Sequence, residues 1–285
     1  MTWAKEYGCP WDENICAMTA GRGDLSVLIY ARAEGCPWDA RTCAYAAREG
    51  QLDTLKWARA NGCAWDSRTC SSAAGGGHLE VLKWVRVNGC PWGVGTCSRA
   101  ARRGHLDIMK WVRANGCPWD GTTYSQGALG GHLHALEWAK ANGCPWDGGP
   151  WFGGICASAA EGGYLEILKW ARANGCPWDT RTCSNAAKGG HLNTLKWARS
   201  KGCPWDARTC QQAAIGGHLD ILKYARANDC PWDEWTLCCA VECGHLDIVQ
   251  WALDNGIPMV EGIFSPRAAL QFRELLSSYM AGGPA

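Results

Sequence analysis

Apolar side chains recur along this chain in two alternating helical patterns. In the stretch HLEVLKWVRV, Leu79, Leu82 and Val85 stand at positions i, i+3 and i+6 with Trp84 beside them, which predicts an amphipathic helix. A shorter apolar pattern, TC..AA, precedes such stretches and predicts a first helix whose small Ala-Ala pair permits a close contact. The chain is therefore expected to alternate between a short first helix and an amphipathic second helix.

Aspartate and glycine residues mark where the predicted helices begin and end. Asp39 stands three residues before Thr42, as Asp66 does before Thr69, which is the placement of an N-cap that accepts a hydrogen bond from the third helical N–H. The first helix is expected to end at a Gly such as Gly77, where a left-handed residue is needed. The second helix is expected to end at Asn-Gly, after which CPW turns the chain into the next unit.

The unit recurs nine times. Its first Cys occupies Cys9, Cys36, Cys63, Cys90, Cys117, Cys144, Cys176, Cys203 and Cys230. All spacings are 27 residues except one of 32, and a fixed period of this kind is typical of a stacked array in which each unit packs against its neighbours. We therefore expect an all-α solenoid of helix-turn-helix repeats over residues 1–256, in which a partial unit with Trp3 precedes the first complete one.

The repeat has a recognisable consensus. The string T-C-x-x-A-A-x-x-G-H-L-x-x-L-K-W, followed by N-G, resembles the ankyrin repeat, whose pattern runs T-P-L-H-x-A-A, then G-H, then an apolar second helix that ends in Gly. The resemblance covers residues 9 to about 256. Ankyrin units have about 33 residues, and the residues missing here lie where that family forms its β-hairpin finger. The resemblance therefore implies ankyrin-like helix pairs that largely lack these fingers.

The resemblance also implies a function, because the first helices of ankyrin repeats line a concave groove that grips partner proteins. Among the nine units, the first helix varies two and five residues after its second Cys, and these positions form one stripe. We therefore expect a non-catalytic scaffold for an unidentified protein partner, although variation without selection would give the same pattern. The candidate contact residues are Tyr45, Arg48, Arg99, Arg102, Leu129, Glu161, Lys188 and Ile215.

Two segments depart from the repeat. The long spacing contains an insertion near residues 148–154, which presents Trp151 and Phe152 between glycines. Such exposed aromatic side chains can anchor a partner, and a tolerated bulge is the alternative. After the array, residues 257–285 contain SPRAALQFRELLSSYM, in which Ser-Pro predicts the start of a helix near residues 266–280. We expect this helix to cap the last unit, and a docking helix for another protein is the alternative.

Composition narrows the possible classes of protein. The chain has 28 Lys and Arg against 27 Asp and Glu, so no strong overall charge attracts it to nucleic acid or an anionic membrane. No segment has the ~20 apolar residues of a membrane helix, and no apolar signal region stands at the N-terminus. The 19 cysteines are an odd number in a long chain, which favours reduced thiols. We expect a monomeric, cytoplasmic or otherwise intracellular protein that does not bind membranes.

A ladder of basic side chains on the second helices supports an alternative, the binding of nucleic acid or another polyanion. Its members are Lys56, Arg59, Lys83, Arg86, Lys110, Arg113, Lys196 and Arg199. Asp53, Glu80 and Asp107 stand three residues before a Lys of the same helix, where they can form ion pairs. We therefore expect a solvated face of mixed charge, and nucleic acid is the less favoured partner.

Cysteine and histidine columns are the strongest candidates for chemistry. They are complete in four units, at Cys63, Cys70 and His78, at Cys90, Cys97 and His105, at Cys176, Cys183 and His191, and at Cys203, Cys210 and His218. These side chains suit zinc, but C-x6-C-x7-H fits no usual finger, and Tyr124 and Tyr164 interrupt the columns. We expect buried thiols and a hydrogen bond from each His ring to the loop backbone. No catalytic motif appears, so neither enzyme activity nor a cofactor nor a metal is expected.

The 19 tryptophans are concentrated in two further columns. One is exemplified by Trp57, Trp84 and Trp111, and the other by Trp38, Trp65 and Trp92. Because other repeat families fill such positions with apolar core side chains, we expect both columns to belong to the core. Stacking on bases or sugars is the alternative.

Overall fold

The computed structural model describes residues 12–146, 154–258 and Phe272. Eighteen helices and no strand occur in this part of the chain. The helix that we predict near residues 266–280 lies outside the described residues, apart from Phe272, as do Trp151 and Phe152 of the insertion. The chain divides into two compact units, Met1–Phe152 and Gly153–Ala285. The all-helical class is therefore confirmed for the described residues.

Each unit contains helix-turn-helix pairs with a first and a second helix. In Met1–Phe152 the first helices are α1 (Glu13–Arg22), α3 (Ala40–Arg48), α5 (Ser67–Gly76), α7 (Val94–Arg103) and α9 (Thr122–Gly130). Their second helices are α2 (Leu25–Ala33), α4 (Leu52–Ala60), α6 (Leu79–Val87), α8 (Leu106–Ala114) and α10 (Leu133–Ala141).

The second unit repeats this arrangement. Its first helices are α11 (Ile155–Glu161), α13 (Thr180–Lys188), α15 (Ala207–Gly216) and α17 (Glu234–Cys243). Its second helices are α12 (Leu165–Ala173), α14 (Leu192–Ser200), α16 (Leu219–Ala227) and α18 (Leu246–Asp254).

Consecutive pairs pack mainly through their first helices. In the first unit α1 packs on α3, α3 on α5, α5 on α7 and α7 on α9, and in the second unit α11, α13, α15 and α17 follow in the same way. Ala73 and Ala74 of α5 are fully buried, which allows neighbouring first helices to lie close together. The described helices thus form a helical-repeat array within each unit.

Aspartate N-caps begin six of the nine described first helices, as we predict, but mostly with a different geometry, and a glycine stands at the N-cap of α7, α9 and α11. The carboxylate of Asp39 accepts a hydrogen bond from the N–H of Arg41 at 2.9 Å, which is the second helical N–H and not the third. The N–H of Thr42 bonds instead to the backbone carbonyl of Asp39 at 3.0 Å. The carboxylate reaches the third helical N–H in α1, where Asp12 accepts from Ile15, and in α17, where Asp233 accepts from Thr236. Such a cap stabilises a helix by about 1 kcal/mol.

Glycines with left-handed backbone follow the first helices, as we predict. Gly77 has a φ of 85° and Gly104 a φ of 74°. The N–H of Gly104 bonds to the carbonyl of Ala101, so the cap satisfies a carbonyl of the last helical turn. The predicted end of the first helix is therefore confirmed.

The second helices bury a face that differs in part from the predicted one. In α6 the buried side chains are Val81, Leu82 and Val85, whereas Leu79 is half-buried at the first helical position. Leu82 and Val85 were expected in the core and are fully buried. The buried stripe thus begins at the third helical position, and Val81 takes the place that we assign to Leu79.

The tryptophan columns lie at the margin of the core, so the prediction that they belong to it is only partly correct. Trp38 and Trp57 are half-buried, with ring centroids 5.8 Å apart in an edge-to-face arrangement. The guanidinium of Arg59 lies 4.1 Å from the ring centroid of Trp65, where a cation–π contact is expected. In the column of Trp65, a cation covers one face of each described Trp ring, an arginine in most units and Lys140 at Trp146, so that face is not open for stacking on bases or sugars.

Histidine rings connect consecutive pairs. His218, at the start of α16, donates a ring N–H to the carbonyl of Lys188 at 3.1 Å, and His191 does the same to Glu161 at 3.0 Å. The predicted hydrogen bond to backbone is therefore confirmed for His191, His218 and His245, but its acceptor lies in the last turn of the preceding pair's first helix and not in the loop. The His218 ring also covers Gly190, where a Cβ would lie 2.7 Å from its Cε1 atom.

Candidate partner-binding face

The variable positions of neighbouring first helices adjoin one another within each unit. In the first unit, a guanidinium nitrogen of Arg99 lies 3.5 Å from the Ser72 hydroxyl, and Arg102 donates to the side-chain oxygen of Gln126 at 3.2 Å. All four belong to the columns two and five residues after the second Cys or its replacement. We call the row that these columns form in each unit the first-helix stripe.

The second unit has its own first-helix stripe. The Lys188 ammonium lies 3.7 Å from the Glu161 carboxylate, and the Asn185 side chain donates to the carbonyl of Ala157 at 3.2 Å. Contacts between successive first helices therefore bring Glu161 and Lys188 together, so these two variable positions are neighbours in the stripe of the second unit.

Most of the candidate contact residues lie at the surface. Tyr45 is 42% exposed, and Arg48, Arg99, Arg102 and Lys188 are also exposed. Leu129, Glu161 and Ile215 are half-buried. The stripe thus exposes Tyr45 and its basic side chains to solvent, whereas Glu161 and the aliphatic side chains are half-buried.

A hollow of about 530 Å³ opens on the stripe of the first unit. Its lining residues are Arg48, Ser72, Gly75, Ser98, Arg99, Arg102, Arg103, Thr122 and Gln126. They come from α3, α5, α7 and α9, and we call this feature the arginine hollow. Arg48, Arg99 and Arg102 are candidates from the sequence that the fold brings to one place.

Other residues of the hollow are absent from the sequence-based candidates. Arg103 stands one position beyond the variable columns, and Ser98 one position before Arg99. Both residues belong to α7, which continues to Arg103. This helix therefore brings both side chains to the same opening. The signal available in the sequence was the cluster RAARR, in which Arg99 lies three and four residues before the next two arginines and so on one helix face.

The described thiols of the two cysteine columns are buried in the helix pairs. Cys63 follows α4 and donates its S–H to the carbonyl of Asp39, the N-cap of the same pair, at 3.3 Å. In the next pair, a hydrogen bond toward the Cys90 thiol raises the pKa of Cys70, with burial as the second cause, and lowers the pKa of Cys90. These three thiols are fully buried. The predicted packing role is therefore confirmed for them.

Buried thiols are expected to resist modification in the folded protein. Among the described cysteines only Cys243 is exposed, so a thiol-reactive disulfide reagent should modify it rapidly. Buried thiols such as Cys70 and Cys97 should react only after denaturation. The check is the time course of labelling, with peptide mass spectrometry to locate the label and Cys243→Ser as the control. Rapid labelling of Cys70 or Cys97 in the native protein would contradict this packing.

The basic ladder on the second helices is largely occupied by internal contacts. Arg59 and Arg86 each donate to a backbone carbonyl of the following loop, those of Cys63 and Cys90. Their guanidinium groups also lie over Trp rings. The Lys83 ammonium pairs with Glu80 at 2.7 Å, the ion pair that the sequence predicts. This face therefore carries mixed charge, and its arginines connect helices to loops.

The described residues contain neither a cluster of metal-ligand side chains nor a membrane-spanning helix. Over residues 12–146 and 154–258, no three His, Cys, Asp or Glu side chains are grouped closely enough to hold a metal ion. In that part of the chain, no helix combines the length and the apolar character needed to cross a membrane.

No protein-family model matches the chain, and a search among curated proteins finds no match. The functional interpretation is therefore based on the stripe, the hollow and the packing of the helices.

Proposed function

We propose that this protein is a non-catalytic scaffold that binds a partner protein through the first-helix stripe. The observation that carries the proposal is the contrast between fixed and variable positions on the same helix. In α7, Cys97 and Ala100 are fully buried, whereas Arg99 and Arg102 are exposed and differ from unit to unit. A packed framework that holds changing side chains on one face is suited to recognition of an extended partner.

We further propose that the repeats are a short, ankyrin-like type. Stacked helix pairs, left-handed Gly after the first helix and a His at the start of the second helix support this assignment. The described residues contain no strand, which agrees with short units that lack fingers. If the likeness extends to function, the first helices supply the binding groove.

Nucleic-acid binding through the second helices is the less supported alternative. Arg59 and Arg86 already hold a carbonyl and a Trp ring each, and Lys83 already pairs with Glu80. Contacts to phosphate would have to replace these interactions.

The proposal is tested by capture of partners with two matched variants. The stripe variant carries Tyr45→Ala, Arg48→Ala, Arg99→Ala and Arg102→Ala. The control carries Val87→Ala, Lys56→Ala, Lys83→Ala and Lys110→Ala, and likewise removes one exposed apolar or aromatic side chain and three positive charges, but from second helices. We expect the control to retain a protein that the stripe variant loses by about tenfold or more, with equal circular dichroism. Loss in the control alone, or retention of nucleic acid instead of protein, contradicts the proposal.

A further inference from the structure

We propose that the arginine hollow is the binding site for an acidic segment of the partner, in which consecutive Asp or Glu side chains are flanked by apolar residues. This inference rests on the proposed function and specifies the partner chemistry that one part of the stripe recognises. It follows from the charges of the hollow, from its shape and from the side chains beside it.

Three of the four arginines that line the hollow have no carboxylate partner among the described residues. Arg48 lies on one side and pairs with Glu49 at 3.4 Å. Arg99, Arg102 and Arg103 lie on α7, and none of them forms an ion pair with an acidic residue among residues 12–146 and 154–258. Like charges that line one hollow repel one another, and an anion bound among them removes that cost.

Helix capping accounts for only some of these arginines. Arg48, Arg102 and Arg103 lie in the last turns of α3 and α7, where positive charge interacts favourably with the helix dipole. Arg99 lies in the middle of α7 and is exposed, with only the Ser72 hydroxyl beside it at 3.5 Å. A ligand with negative charge gives Arg99 a partner that the helix does not.

The floor of the hollow is open because its residues are small. Gly75 stands in the column that holds Arg48 and Arg102 in the neighbouring helices, so no long side chain crosses the space between them. A Cβ at Gly75 would lie 3.4 Å from the Cβ of Arg99, which leaves room for a methyl group but places a longer side chain in the hollow. Ser72 adds a hydroxyl group that can donate to a carboxylate, whereas the Thr122 hydroxyl already donates to Asp120.

Arginine geometry and the surroundings of the hollow favour a peptide carboxylate over nucleic acid. A guanidinium can hold a carboxylate with two parallel hydrogen bonds. Along the stripe of the first unit, the arginine cluster is bounded by Tyr45 and Leu129, an aromatic and an aliphatic side chain. A nucleic acid would need positive side chains beyond the hollow, along the rest of the stripe. An acidic segment with apolar flanks instead matches the arginines of the hollow and the neighbouring Tyr45 and Leu129.

The test measures binding of fluorescent peptides to the full chain. The probe is Leu-Glu-Glu-Asp-Glu-Glu-Leu, its uncharged match is Leu-Gln-Gln-Asn-Gln-Gln-Leu, and oligothymidylate is the nucleic-acid arm. We expect the acidic probe to bind at low salt and to weaken as salt is raised, and the uncharged match to bind at least about tenfold more weakly.

Three variants locate that binding. Arg99→Gln with Arg102→Gln should weaken the acidic probe by about tenfold or more, whereas Lys83→Gln with Lys110→Gln, the same charge change on second helices, should leave it within about twofold. Gly75→Leu fills the hollow without changing charge and should also weaken binding by about tenfold. Circular dichroism reports folding, and Gly75→Met, whose unbranched side chain also enters the hollow without changing its charge, replaces Gly75→Leu if the latter does not fold.

Several outcomes overturn the inference. They are absence of binding of the acidic probe at low salt, equal loss in the second-helix control, and tighter binding of oligothymidylate that also depends on Arg99 and Arg102. If captured partner depends on Tyr45 and Leu129 but not on Arg99 and Arg102, the acidic-segment inference fails and the scaffold function stands. If captured partner is insensitive to all stripe substitutions, the scaffold function itself fails.

Discussion

Gly190→Ala is expected to destabilise the protein by about 3 kcal/mol, far more than Gly202→Ala. The two glycines have nearly the same left-handed backbone, with φ of 80° and 79°. An Ala in this conformation costs about 1 kcal/mol through contact of its Cβ with the backbone. At Gly190 the added Cβ also lies 2.7 Å from the ring of His218, whereas at Gly202 nothing lies within 4 Å. The clash adds about 2 kcal/mol, a typical cost of overpacking.

The His218 ring cannot move away from Gly190 without loss, because it donates to the Lys188 carbonyl at 3.1 Å. Urea denaturation of Gly190→Ala, Gly202→Ala and wild type gives the comparison. Gly190→Ala combined with His218→Ala should be less destabilised than the sum of the two single variants, since the clash is then absent. Equal destabilisation by Gly190→Ala and Gly202→Ala would show that the His ring does not hold consecutive pairs together.

Tyr124→Ala is expected to cost about 3–5 kcal/mol, as other aromatic truncations in protein cores do. Tyr124 occupies the column of the second Cys and is fully buried. Its hydroxyl donates to the Cys144 carbonyl at 3.0 Å, and its ring meets that of Trp146 edge to face at 4.8 Å. Burial raises the pKa of Tyr124, so the phenol stays neutral and remains a donor.

Tyr124→Phe separates packing from hydrogen bonding. It keeps the ring, removes the donor to Cys144 and should cost about 1–2 kcal/mol, the usual penalty for leaving a buried polar group without its partner. Thermal or urea denaturation of the two variants checks both values. If Tyr124→Phe costs as much as Tyr124→Ala, the hydrogen bond dominates and the packing argument is wrong. If Tyr124→Ala is nearly neutral, the side chain is not part of the core.

The helix pairs were predictable because their signals are local and repeated. Asp39, before α3, and Gly77, after α5, each mark a helix end that lies within a few residues of them in the sequence. The 27-residue spacing repeats these signals along the chain. The acceptor of the His218 ring was not predictable in detail, since it belongs to the preceding pair. Sequence spacing within one unit cannot show which atoms of another unit will lie beside it.

The tryptophan and arginine columns show where periodicity misleads. Trp65 recurs at a fixed position, which suggested the core, but it lies half-buried beneath Arg59. The Arg59 column suggested a solvated ladder, yet Arg59 also donates to a loop carbonyl. A cation that lies over an aromatic ring interacts favourably with it while both side chains stay at the surface. A pattern that only divides residues into apolar and polar does not predict this contact.

The arginine hollow was predictable only in part. Arg48, Arg99 and Arg102 were found because they vary among units that are otherwise alike. Gly75 and Arg103 became relevant only when the packing of α3, α5, α7 and α9 placed them at one opening. A glycine that leaves space has no chemical signature in the sequence.

The most direct test of the scaffold function is photo-crosslinking with a light-activated side chain at single positions. Tyr45, Arg99 and Lys188 report on the first-helix stripes, and Lys56 and Lys110 report on second helices. The account predicts that one partner protein is crosslinked from the stripe positions at a yield about tenfold or more above that from Lys56 and Lys110. Equal yields from both sets, or crosslinks to protein only from Lys56 and Lys110, would contradict it.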